Sequence, residues 1–209
     1  MNAEAELNAK EATEHLAAIR RIMESATQLT VLPGKAAIIG GLLALNACAV
    51  TRGIVGSWDF SAMSALHASI RMNLIVLWSA TAAVGIAVDV ALTVLAARKR
   101  GASPWSRLSQ LAAYAMAPGI AAGTVLTLAL GQTGHWGLVP ALWMMLYGGA
   151  VWTASVFSVR APGVLGAVFF AAGVATAFWL SSVSLLMVAA TFGLAHIVFG
   201  VYLIAKFGD

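Results

Sequence analysis

The chain has 209 residues, of which 61% are hydrophobic and only 10% charged, with a formal net charge of +4 and a mean hydropathy of +0.90. That is more apolar surface than a soluble domain of this length can bury, so the composition excludes an ordinary globular protein and points to an integral membrane one. A single cysteine, Cys48, excludes an intrachain disulfide, and the positive residues flank apolar runs, which argues for topology signals and against nucleic acid as a partner.

Residues 1–31 read as a cytosolic amphipathic helix preceding the membrane domain. Ala12, Leu16, Ile19, Met23, Ala26 and Thr30 recur three and four apart on one stripe, with charges elsewhere. Lys10 with Glu14 and Arg20 with Glu24 stand at i,i+4 and support it weakly. Residues 3–28 hold five glutamates against Lys10, Arg20 and Arg21, a net of 3 − 5 = −2, which anionic lipid does not attract. The stripe of Leu16, Ile19 and Met23 is therefore expected to dock on the protein's own bundle, on a second copy or on a cytosolic partner. Leu32-Pro33-Gly34-Lys35 ends this element.

Residues 32–209 then read as a six-helix transmembrane domain, with helices near 36–51, 72–97, 108–130, 139–159, 163–180 and 185–205. The first is short for a bilayer and is expected to recruit Leu32 while Lys35 snorkels. The connection between Arg52 and Arg71 is the one sizeable loop on its side. Its Ser57-Trp58-Asp59-Phe60 reads as an interfacial anchor, followed by a helical start with Met63, Leu66 and Ile70 on one side. The third helix carries Pro118 beside Gly119 and Gly123, a proline kink next to a Gly-x-x-x-Gly packing face.

Residues 98–107 separate three helices from three and hold four of the twelve Lys and Arg residues. On this topology Lys10, Arg20, Arg21, Lys35, Arg98, Lys99, Arg100, Arg107, Arg160 and Lys206 lie on one side and Arg52 and Arg71 on the other. The bias places both termini in the cytosol. Trp58, Trp136 and Trp179 fall at the outer boundary and Trp105 at the inner one, as an aromatic belt requires. The two halves show little sequence echo beyond glycine and alanine.

Three polar side chains lie deep: Asn46, Asp89 and His196. They are the candidates for function, because an acid near the centre of a membrane helix must find a partner, a cavity or a proton. Asp89 and His196 suit a proton or cation relay; the alternative is a structural hydrogen bond between helices, which is also the default for Asn46. Asp59, His67 and His135 have no diagnostic metal spacing, and His196 has no second intramembrane histidine to complete a haem, so no metal and no cofactor is expected. Paired acids, phosphate loops and nucleophile motifs are absent, and no enzyme chemistry is expected.

The N-terminal Ile19-Arg20-Arg21-Ile22-Met23-Glu24-Ser25-Ala26-Thr27 with Leu32-Pro33-Gly34, the stretch Pro140-Ala141-Leu142 with Tyr147-Gly148, and Phe192-Gly193-Leu194-Ala195-His196-Ile197-Val198-Phe199-Gly200 resemble a group of small bacterial polytopic inner-membrane proteins with no known activity. The resemblance implies a bacterial inner (plasma) membrane protein with several spans and a role for His196 and the N-terminal helix. The expectation is a non-catalytic accessory, scaffold or signalling component, a homo-oligomer or a subunit of a membrane complex, that docks through the N-terminal helix. The alternative is a small proton- or cation-coupled transporter or channel using Asp89 and His196.

Overall fold

The structure, a computed structural model, describes residues 15, 33–99, 101, 103, 105–158 and 160–208. Leu16, Ile19 and Met23 lie outside the described residues. Among those described there is no strand, and six helices are long and apolar enough to cross a membrane: α1 (Gly34–Val55), α2 (Ala68–Lys99), α3 (Arg107–Gln132), α4 (Trp136–Phe157), α5 (Arg160–Phe178) and α6 (Ser181–Phe207). Successive helices run antiparallel. One end of the bundle carries Lys35, Arg98, Lys99, Arg107, Arg160 and Lys206 and is called the basic end; the other carries Arg52 and Arg71.

α1 is longer than its uninterrupted apolar run. It starts directly after Pro33 and continues through Arg52 to Val55, where Gly56 at φ 74° closes it by donating its N–H to the Arg52 carbonyl. Its 22 residues are enough for a ~30 Å hydrocarbon core without help from Leu32.

Two seams hold the bundle. α1 meets α6 where Gly34 lies against the backbone of Gly200 and Gly41 against that of Gly193; a Cβ on Gly41 would stand 2.6 Å from the Gly193 carbonyl oxygen. α4 meets α5 where Gly148 and Gly166 face each other, each Cβ position falling 2.6–2.7 Å from the other's carbonyl oxygen. In lipid, apolar side chains gain nothing by leaving water, so close backbone approach and the dispersion contacts it permits do the work of association. α3 joins α4 through Gly119 and Gly123 and runs unbroken through Pro118. α2 packs on α1, with Trp78 Nε1 donating to Thr51 Oγ1 at 3.1 Å.

The packing order is thus α2–α1–α6 and α3–α4–α5, joined by α6 against α4 and α5. α2 and α3 do not pack along their lengths, and both remain largely uncovered by protein.

The end opposite the basic one is plugged. A 3-10 helix (Phe60–Ala65), capped by Asp59 accepting from the Ser61 N–H, inserts Phe60 and Met63 among Cys48, Leu74, Trp136, Val139, Leu185 and Val188. Backbone bonds lock it to α6: the Phe60 N–H donates to Ser184 Oγ at 3.0 Å and the Leu185 N–H to the Trp58 carbonyl at 2.9 Å. Here the structure departs from the simple belt. Trp136 is only 7% exposed, its ring covering Gly131, because the tight turn at Gly134 folds it inward, whereas Trp58, Trp105 and Trp179 are exposed. Met63 and Leu66 turn toward the bundle but Ile70 does not.

The α4–α5 seam is testable at adjacent glycines. Gly148→Ala places a methyl group on the backbone of Phe170 and Gly166 and is expected to destabilise by about 1–3 kcal/mol, as overpacking does. Gly149→Ala meets nothing within 4 Å and is expected to be neutral or slightly stabilising. Thermal unfolding of the detergent-solubilised protein separates the two; equal losses would show that the seam is not tightly packed.

Candidate functional site

The seams carry the candidate site on their flanks. Tyr147 precedes the seam glycine Gly148, and Phe192 and His196 bracket Gly193, so the close approach of the backbones sets the direction of all three side chains. They meet near mid-length of the helices. Tyr147 Oη and His196 Nε2 are 2.8 Å apart. Around this bond the Phe169 ring stands edge-on to His196 (centroids 5.2 Å apart, 86°) and to Phe192 (4.8 Å, 90°), while Phe192 stacks on His196 at 6.0 Å. Phe169 is wholly buried, whereas Tyr147, Phe192 and His196 are partly exposed.

α6 is wound as a π-helix over Ala189–Ala195, immediately before His196. The wider turn brings the Thr191 carbonyl, five residues back, to 3.4 Å from His196 Nδ1. A carbonyl can only accept, so this contact assigns the proton to Nδ1 and leaves Nε2 to accept from the Tyr147 hydroxyl. Thr191 in turn donates its hydroxyl to the Met187 carbonyl at 2.8 Å. Such π-turns inside α-helices occur frequently at functional sites, and here the turn orients the one intramembrane histidine.

Asp89 lies on the same side of α2 as Trp78, since a separation of eleven residues makes about three turns and returns to nearly the same azimuth. Its stripe is therefore the inward one. Asp89 is nevertheless exposed, with no helix covering it among the described residues. These facts agree if it lines a crevice. Among the described residues nothing stands within 4 Å of where a Cβ would project from Gly40 on α1 or Gly85 on α2, whereas the two helices are in contact at Thr51 and Trp78. Counted along α1 from the Thr51–Trp78 contact, Asp89 falls level with Gly40; counted from the Gly34–Gly200 and Gly41–Gly193 contacts with α6, His196 falls level with Ile38. Two residues of rise put the groups about 3 Å apart in depth. Among the described residues Asp89 makes no hydrogen bond or ion pair. In a bilayer an aspartate at this depth costs about 2.5–3.5 kcal/mol to insert.

The other candidates do not join. Asn46 is exposed on the stripe of α1 that also presents Ile39 and Leu42, away from α6 and α2. Cys48 is buried, its thiol toward the Leu185 carbonyl. Among the described residues no three His, Cys, Asp or Glu side chains gather as a metal set: Asp59 caps the plug, His67 is exposed, and His135 Nδ1 pairs with Thr133 Oγ1. Tyr147 is the site residue that sequence reasoning missed. A tyrosine among apolar neighbours carries no sign of its partner; its place beside a seam glycine was the one available signal.

No family model matches the chain, and neither a curated protein nor a solved structure is significantly similar to it.

The hydrogen bond is expected to contribute modestly, as interhelical bonds in membranes do. Tyr147→Phe should lower stability by about 0.6–1.7 kcal/mol. In protein carrying 15N-labelled histidine, the Nε2 resonance of His196 should move in Tyr147→Phe while Nδ1 stays protonated; an unmoved Nε2 would show that the hydroxyl does not donate to it.

Proposed function

We propose that the protein is a small proton- or cation-coupled membrane transporter whose working groups are Asp89, Tyr147 and His196. The observation that carries this reading is the Tyr147–His196 bond at mid-depth with Asp89 level with it, exposed on the inward stripe of α2. Ionisable residues inside a membrane bundle mark ion and proton pathways, and an acid that pairs with none of the described residues leaves room for a transported partner. Adding a proton to Nε2 of His196 removes the acceptor for the Tyr147 hydroxyl, so titration of the histidine breaks or turns a contact between α4 and α6. That couples a proton to the packing of the two halves of the bundle.

The asymmetry of the bundle supports the same reading, since one end is plugged by Phe60 and Met63 while α2 and α3 stand apart. The distribution of basic residues, ten against two, supports an orientation with the basic end and both termini in the cytoplasm of a bacterial cell. The plug then faces outward.

In proteoliposomes the wild type is expected to carry a pH-driven proton or cation flux that falls at least tenfold in both Asp89→Asn and His196→Ala. Absence of flux in the wild type, or flux unchanged in the variants, removes the transport reading and favours the scaffold one, in which Leu16, Ile19 and Met23 dock a partner or a second copy. Deleting residues 2–28 tests that role directly. The truncated protein should keep its flux if transport is the function; loss of assembly mass and of co-purifying partners, with no flux from the full chain, supports the scaffold.

A further inference from the structure

We propose that the gap between α2 and α3 is the entrance to a binding cleft for a lipophilic organic cation, with Asp89 as its counter-charge and the partly exposed rings of Tyr147 and Phe192 as its inner wall. The inference rests on the transport reading of the same residues and names the class of substrate.

Four observations converge. Asp89 is on the inward stripe of α2, exposed, and without a hydrogen bond or ion pair among the described residues. On its own helix the nearest basic residue is Arg98, nine residues or ~13 Å along, beyond direct pairing. Among the described residues the space beside it is open, because none of them stands within 4 Å of a Cβ at Gly40 or Gly85 and α2 and α3 do not pack along their lengths. Its approaches are apolar: Ile86, one turn before Asp89, is 54% exposed.

The chemistry then selects the occupant. A bare metal ion needs four to eight ligand atoms in place of its water, and no set of three acids, histidines or cysteines gathers at Asp89 among the described residues. A bulky ammonium or phosphonium ion has its charge shielded by carbon and needs one counter-charge, apolar contact and aromatic faces, all of which converge here. Such an ion also partitions into lipid, and a cleft open sideways between two helices admits it from there. An anion is refused by Asp89, and a neutral lipid tail leaves the carboxylate uncompensated.

Equilibrium dialysis of tetraphenylphosphonium against the full-length protein in lipid nanodiscs tests this, with empty nanodiscs subtracted. Saturable binding is expected in the wild type, weakened at least tenfold in Asp89→Asn, largely retained in Asp89→Glu and weakened severalfold in Phe192→Ala; neutral triphenylphosphine oxide should not compete. Equal binding by wild type and Asp89→Asn, or displacement by sodium ions at millimolar concentration, overturns the inference. So does a fall in assembly mass in Asp89→Asn with no saturable binding in the wild type, which makes the gap an interface between copies. Flux measured on the same purified proteins in proteoliposomes separates the two readings: proton flux without tetraphenylphosphonium binding leaves transport standing and sinks the cleft, whereas Asp89-dependent binding without flux keeps the cleft and removes transport.

Discussion

The rest of the molecule depends on two places where helix backbones touch. At Gly41 with Gly193 and at Gly148 with Gly166 the chains approach so closely that a single methyl group would collide with a carbonyl oxygen. In a bilayer this is the contact that counts, because burying one more leucine against a neighbour gains little over burying it in lipid, while close approach gains many short-range dispersion contacts at once. A helix held at so short a distance has little freedom to rotate. The residues beside the glycines therefore inherit fixed directions, and Tyr147, Phe192 and His196 are such residues.

Around these seams the bundle is uneven. Its plugged end is held by ring and methionine packing and by two hydrogen bonds with α6, one from the Phe60 N–H to Ser184 Oγ and one from the Leu185 N–H to the Trp58 carbonyl. Toward the basic end the described residues leave Asp89 without a helix packed over it. The same aspartate turned toward a packed helix would be an unpaired polar group with nothing to satisfy it. The π-turn before His196 adds a second local distortion in the same region, widening α6 where the histidine must reach both a carbonyl and a hydroxyl.

Hydropathy made the six spans legible, since runs of apolar residues long enough for a bilayer have few other uses. Asp89 and His196 were legible as well, by their rarity in such runs. Helix ends were less so. α1 extends past the apolar run at both ends because Pro33 and Gly56 set its limits by backbone geometry, which hydropathy does not register. Trp136 followed the belt rule in sequence and broke it in space, since the turn at Gly134 redirects it into the core. Asn46 and Asp89 look alike in sequence, each a polar residue in an apolar helix, yet one points away from the bundle and the other into a crevice.

The sequence by itself determined the number of helices, their order and the residues that are expensive to bury, because these follow from the solvent preference of each side chain along the chain. Only the tertiary structure decided azimuth: which face of α2 turns inward, that Tyr147 meets His196, and that Asp89 stands level with them. Helices that are apolar nearly all round carry no moment to orient them. Their rotation is set by where glycines let backbones meet, and that requires both partners of each contact to be known.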